Sequence, residues 1–346
     1  MADQSKVKAQ LKTLRKKFGG DIILKLKDKP MKFDVISSGC MAIDQATGIG
    51  GFPRKHSVMY WGKENGGKTT LAQCFAASVI RGGGTPLFVD MEKKGSEDWI
   101  RTCISQYDVN PDELYIAQPE TGPQALDVIR GMVPVVDAVI LDSIYHLVPA
   151  NVLDANSAGD NFPAHLSKLL SPNMKALKSI LGASNCVFLM TNQMRYKFAS
   201  MPGANPETIP GGRVVMQDNI MIMKLQQVGR VKRGKNTIGI DARAYFQKNQ
   251  AGPPYLQANY RIKFDRGLDV NFDVMETAKG TVIEQRGAWY DWRPDEEIGF
   301  HLKGWESEGG VMNHIEEHPE KINLIRKDLE SENQGLDTLA HEYPHE

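Results

Sequence analysis

An apolar segment at 57–61 runs straight into Gly62, Lys63, Glu64, Asn65, Gly66, Gly67, Lys68 and Thr69, and a helical pattern that begins with Thr69 and Thr70 continues to Arg81. The octapeptide fits G-x-x-x-x-G-K-[ST] without exception, and a strand before it with a helix behind it is the setting in which that pattern binds phosphate. The physical reason is local. Glycines permit backbone angles that turn successive amide N–H groups inward, and the N-terminus of the following helix adds partial positive charge. Residues Gly62 to Thr70 are therefore expected to hold ATP, with Lys68 bridging the β- and γ-phosphates and the Thr69 hydroxyl ligating Mg2+. The competing reading is a glycine-rich turn that binds nothing.

A metal on a triphosphate also needs a carboxylate. Val139-Ile140-Leu141 ends in Asp142, an acid at the end of a second apolar strand, which is expected to hold Mg2+ largely through water. A third apolar run, Leu87-Phe88-Val89, ends in Asp90-Met91-Glu92. Glu92 is the candidate base for orienting or deprotonating water. Asp90 in that role, or both acids as surface caps, are the alternatives.

Apolar runs at 57–61, 86–90, 115–117, 138–141, 186–191 and 219–225 alternate with helical patterns at 69–81, 97–107, 122–132 and 164–181. Strands that are apolar throughout are buried on both faces, and this alternation predicts an α/β fold with a mostly parallel, doubly wound sheet whose ligands lie at the strand C-terminal ends. The stretch 242–273, with turns at Gly252-Pro253-Pro254 and Arg266-Gly267, predicts added antiparallel strands. Ahead of the sheet, Val7, Leu11, Leu14 and Phe18 recur at helical spacing over 6–18, and 21–26 looks strand-like. The expected organisation is an N-terminal helix and strand (1–35), a core (36–276), a small α+β C-terminal domain (277–330) and a flexible acidic tail (331–346).

The whole-chain numbers exclude more than they assert. No apolar run approaches eighteen residues and the N-terminus is polar and lysine-rich, so no membrane partner is expected and the cytoplasm is the expected location. Cys40, Cys74, Cys103 and Cys186 stand singly, without zinc spacing, as expected of reduced core thiols. Formal net charge is +0, which does not advertise a nucleic-acid partner, but the first 35 residues are basic and 301–346 are acidic.

Ser37-Ser38-Gly39, Gly48-Ile49-Gly50-Gly51-Phe52-Pro53, Lys68-Thr69-Thr70-Leu71, Asp90-Met91-Glu92 and Gln118-Pro119-Glu120-Thr121-Gly122 are followed by Asp142-Ser143, Asn192-Gln193-Met194-Arg195, Asn205-Pro206-Glu207-Thr208, Gly211-Gly212, Lys248-Asn249 and Gly287-Ala288-Trp289-Tyr290. In this order and spacing the set strongly resembles the bacterial RecA recombinases over residues 6–330. Ordered motifs of this number are far more specific than a phosphate loop alone.

The resemblance implies a RecA-like P-loop ATPase core, an N-terminal segment that docks on the next subunit, and ATP held between subunits of a homo-oligomeric helical filament. It implies single-stranded DNA and homologous double-stranded DNA as partners, and strand exchange as the activity. By the same resemblance Gln193 senses the γ-phosphate, Lys248 reaches it across the interface, and Gln250 stands where a second lysine is usual. Trp99 falls where the family packs an aromatic on adenine, or belongs to the core.

Segment 194–213 looks like the family's second DNA loop. There Arg195, Lys197 and Arg213 are candidates for phosphate contact, Phe198 for insertion between bases, and Gly211 and Gly212 for close backbone approach. The first DNA loop is expected at 151–163, where Phe162 and Pro163 depart from the family. Lys168 and Lys175 behind it share a helix face suited to phosphates, or to solvent. Arg230, Lys232, Arg233 and Lys235 crowd an expected turn at 229–235, either solvated or helping to capture duplex. The rival functions are a ring-forming RecA-fold motor, such as a hexameric helicase, and a regulatory filament that exchanges no strands.

Overall fold

The computed structural model describes residues 3–18, 23, 32–147, 162–196, 207–294 and 298–339. The chain divides into two units, 1–34 and 35–346. The first contains the helix Gln4–Phe18, none of whose residues is buried within it. Apart from Ile23, the strand-like stretch 21–26 lies outside the described residues.

In the second unit the described residues form a nine-stranded sheet. Its spatial order is Gly267–Leu268, Gln257–Lys263, Asn236–Asn249, Met221–Arg233, Ser57–Gly62, Val187–Gln193, Ala138–Asp142, Pro86–Asp90 and Tyr115–Ala117. The last six run parallel, and the first three add antiparallel to that edge. The fold is thus the expected α/β one.

Strand period explains how apolar runs serve both faces. Val58, Tyr60, Ile140 and Leu189 enter one buried cluster, under the helices Met41–Thr47 and Lys68–Arg81. Their neighbours Met59, Trp61, Val139, Leu141, Phe188 and Met190 enter another, under Gly122–Met132 and Phe162–Ala183. Successive side chains point to opposite faces, so a strand covered on both sides must be apolar at every position. Each fully buried Leu, Ile or Phe contributes about 1.5–3 kcal/mol. All four cysteines are buried and unpaired by disulfides.

The smaller C-terminal part has the antiparallel strands Glu284–Arg286, Trp289–Trp292 and Phe300–Lys303, with the helices Val311–Glu317 and Glu320–Leu339. Its core takes Val274, Met275 and Ala278 from the helix Val270–Ala278, which starts before the expected boundary near Thr277. Asp273 on that helix accepts hydrogen bonds from the backbone amides of Met41 (2.6 Å) and Ala42 (3.0 Å), so one helix serves both cores. The last helix reaches Leu339, well into the expected tail, and 340–346 lie outside the described residues.

One expectation is corrected. Arg230, Lys232 and Arg233 do not lie in a turn: the strand Met221–Arg233 carries them, and only Gly234 and Lys235 separate it from Asn236–Asn249. Gly234, at φ 61°, supplies the left-handed angle that a two-residue hairpin needs. Among the described residues no helix is long and apolar enough to cross a membrane.

Candidate functional site

The phosphate loop leaves the Ser57–Gly62 strand and enters the Lys68–Arg81 helix. Gly62 (φ 151°) and Gly67 (φ 81°) both hold left-handed angles that favour glycine, and a Cβ on Gly62 would stand 2.2 Å from the Leu225 carbonyl oxygen. The Tyr260 hydroxyl donates to the Gly66 carbonyl at 2.7 Å and braces the loop from the antiparallel strands. Lys63, Glu64 and Asn65 form its exposed rim, whereas Thr70 is buried. Lys68 folds back, its ammonium donating to the carbonyls of Gly62 (3.2 Å) and Lys63 (2.7 Å). Burial lowers its pKa, opposed by the charges of Asp142, Glu92 and Glu64.

Asp142 sits at the C-terminal end of its strand and is 5% exposed. Thr69 Oγ1 donates to one carboxylate oxygen at 2.6 Å and Thr191 Oγ1 to the other at 2.5 Å. Burial raises its pKa, the two hydroxyls pull it down, and Glu92 and Asp90 push it up again. Crowded acids beside a hydroxyl suit a divalent cation. Among the described residues no group of three His, Cys, Asp or Glu could hold a metal unaided. That donor set fits Mg2+, which takes one or two carboxylates, keeps waters and shares phosphate oxygens.

Asp90 and Glu92 bond differently around the turn after the Pro86–Asp90 strand. Asp90 Oδ1 accepts from the amides of Glu92 (3.1 Å) and Lys93 (2.8 Å), and Gln118 Nε2 reaches Oδ2 at 3.3 Å, so this carboxylate shapes the backbone. Glu92 instead faces inward. Its Oε1 accepts from Gln193 Nε2 at 2.9 Å, with Ser143 Oγ at 3.4 Å and His146 Nδ1 at 3.2 Å. Among the described residues Oε2 has only the Lys94 ammonium, at 3.9 Å. The site therefore gathers Lys68, Thr69, Asp142, Glu92 and Gln193 at one edge of the sheet.

Trp99, on the helix Glu97–Ser105, is half-buried and lines a cavity of about 440 Å³ with Asn65, Gly67 and Thr70. An apolar-walled space beside a phosphate loop is the right place for a nucleobase. Lys248 is elsewhere. It pairs with Ile222, which pairs with Met59, three residues before Gly62, so it lies roughly 10 Å back along the sheet from its own loop. Its ammonium donates to the carbonyls of Met216 (3.0 Å), Gln217 (2.9 Å) and Asn219 (2.6 Å), capping the helix Gly212–Asp218. Desolvation lowers its pKa.

Beyond Gln193 the chain pairs again, Arg195 with Thr208 and Tyr196 with Glu207. Arg195 is exposed, and its guanidinium carbon lies 4.0 Å from the centre of the Tyr145 ring. Gly211 (φ 98°) and Gly212 (φ 80°) open the next helix, and a Cβ on Gly212 would stand 2.9 Å from Ser167 Oγ. That contact sets the pair against the helix bearing Lys168 and Lys175, which are exposed, as is Arg213. Lys197, Phe198 and residues 148–161 lie outside the described residues, and nothing is placed there. Sequence reasoning missed Tyr145, His146, Thr191 and Tyr260. For His146 a signal existed, since it follows a strand-end aspartate by four residues.

A family model described as the RecA N-terminal domain matches residues 5–269. Proteins named RecA are similar along nearly the whole chain. That of Thermus aquaticus is 34% identical over 321 residues, covering 91% of each chain. That of Bordetella petrii is 30% identical over 341 residues, 97% of this chain and 92% of its own. That of Clostridium acetobutylicum is 32% identical over 297 residues, 84% of this chain and 83% of its own.

Proposed function

The chain belongs to the RecA family, and on that premise we propose that it is a DNA-dependent ATPase that forms helical filaments on single-stranded DNA and exchanges strands with homologous duplex in recombination and repair. The observation that carries this reading is the Gln193–Glu92 hydrogen bond, 2.9 Å long, because it joins the carboxylate beside the phosphate loop to the strand that continues into Arg195.

Gly62 to Thr70 hold the phosphates of ATP, and Lys68 leaves the Gly62 and Lys63 carbonyls to meet the β- and γ-phosphates. Thr69 and Asp142 hold Mg2+, which when bound neutralises phosphate charge. Glu92 orients a water through Oε2, which among the described residues has no side-chain amide or hydroxyl donor. Trp99 covers the base. Lys248 releases the helix end it caps and serves the γ-phosphate of the next subunit, in the manner of an arginine finger. The residues at 1–35 dock on that subunit.

Gln193 reports the nucleotide to the DNA face. There Arg195, Lys197, Arg213, Lys168 and Lys175 neutralise backbone phosphates, Gly211 and Gly212 admit the backbone, and Phe198 inserts between bases. Binding is then steeply salt-dependent and nearly indifferent to sequence, because pairing is left to the bases themselves. The expected location is the cytoplasm.

The test is ATP hydrolysis with and without single-stranded DNA, followed by joint-molecule formation with homologous and heterologous duplex. Stimulation by single strands and homology-dependent joint molecules are expected. Activity indifferent to DNA, or surviving Lys68→Ala, would overturn the reading.

A further inference from the structure

Glu92 and Arg195 are joined by two routes. The first is the strand through Gln193. The second is the single turn Ile144–His146 that follows Asp142. Ile144 and Leu147 are buried and pin this turn to the core, leaving two half-buried rings between them. The His146 ring places Nδ1 3.2 Å from Glu92 Oε1 and 2.9 Å from Ser143 Oγ. A carboxylate oxygen only accepts, so the tautomer with its proton on Nδ1 is the one that can donate to Glu92. The Tyr145 ring carries the Arg195 guanidinium at 4.0 Å, and the two rings lie 5.4 Å apart at 89°.

Adjacent residues on one rigid turn thus touch the base at one end and a DNA-facing arginine at the other. A DNA phosphate offers that guanidinium a charge-assisted hydrogen bond, which outcompetes an aromatic face. A phosphate pulling on the N–H edge of the guanidinium shifts Arg195 over the Tyr145 ring. That shift alters one of the contacts on Tyr145 and, through the adjoining ring, the contact of His146 with Glu92.

We propose that Tyr145 and His146 form a second coupling element between the DNA face and the hydrolytic site, Tyr145 holding Arg195 when DNA is absent and His146 acting as a positioning residue for Glu92. This rests on the roles given above to Glu92 and Arg195. Coupling of this kind is reciprocal, so ATP in the site also alters the hold on Arg195.

The experiment measures steady-state ATP hydrolysis by the full chain, with and without poly(dT), for the wild type, Tyr145→Leu, His146→Ala, the double variant, and the conservative Tyr145→Phe and His146→Gln. Each disruptive variant is expected to lower the DNA stimulation of kcat about fivefold with KM for ATP nearly unchanged. The double variant should lose no more than either single one, because the two act in series. Tyr145→Phe keeps the aromatic face and His146→Gln keeps a donor and much of the volume, so both should retain stimulation. Should a disruptive variant fold poorly, the conservative pair decides: loss of stimulation in Tyr145→Phe overturns the proposal. Unchanged stimulation in both disruptive variants, equal losses with and without DNA, or strictly multiplicative losses in the double variant also overturn it. A wild type that poly(dT) does not stimulate defeats the proposed function itself, and this element with it.

Discussion

Gly62 and Gln193 are register partners in the parallel ladder, so the first residue of the phosphate loop and the amide that holds Glu92 share one rung. Main-chain pairing therefore fixes the spacing between the loop and Gln193. A nucleotide at the loop is one strand away from the segment that carries Arg195.

Removing that amide should uncouple the two ends. Gln193→Ala takes away the 2.9 Å donor to Glu92 while leaving the loop and Asp142 intact. DNA stimulation of ATP hydrolysis should fall about tenfold or more, with the DNA-free rate much less affected, as measured by phosphate release.

Lys68→Ala should abolish hydrolysis while sparing the fold. In the free protein Lys68 makes two bonds to loop carbonyls, so its loss should cost only about 1 kcal/mol in urea unfolding. The loss in kcat/KM should be at least about a hundredfold, because a charge facing the transferred phosphoryl is gone.

Trp99→Ala should weaken nucleotide binding more than chemistry. The ring lines the cavity beside Asn65, Gly67 and Thr70, away from Glu92. A stacking loss of about 1–3 kcal/mol predicts KM for ATP raised roughly tenfold or more at nearly constant kcat, with Trp99→Phe intermediate.

Gly211→Ala should destabilise the protein and weaken DNA binding together. A Cβ there would stand 2.8 Å from Val215 Cγ2 and 2.9 Å from Leu170 Cδ1, at a φ of 98°. The expected cost is about 1–3 kcal/mol in a denaturant titration.

Asp44 should make stability fall as pH rises. Although part of its surface reaches the protein boundary, burial pushes its carboxyl up to about 7 from 3.8, against the pull of hydrogen bonds from Ser37 and Ser38. A raised folded pKa means that the unfolded chain gives up the proton first. The group's contribution is therefore complete below pH 4 and is lost as pH climbs through 7. Asp44→Asn should remove that slope, so the variant gains on the wild type between those limits in urea midpoints.

Much of the site was legible because its determinants are local. Glycine spacing, an apolar run and a helical pattern within 57–81 specify strand, loop and helix without reference to the rest of the chain. The same holds for acids at strand ends, since parallel strands buried on both faces must put their first polar residues at the edge. Local pattern could not separate Asp90 from Glu92, because only the folded turn shows which carboxylate its own amides consume. Nor could it pair His146 with Glu92, 54 residues earlier, although the strand-end aspartate marked where His146 stands. The strand reaching Arg233 was hidden because its outer half is half-buried or exposed and has no continuous apolar face to read. Lys248 illustrates a further limit: resemblance supplied a role across an interface, while the isolated chain spends that ammonium on a helix end.

The helix Val270–Ala278 holds Met41 and Ala42 through Asp273 and gives Val274, Met275 and Ala278 to the C-terminal core. No cut near residue 277 can then free a self-sufficient fragment on either side. Severed there, the upstream piece keeps most of an apolar helix with nothing to cover it, and the downstream piece becomes a shell without a floor. Heat or a protease should thus find one cooperative body where the chain's linear order suggests two.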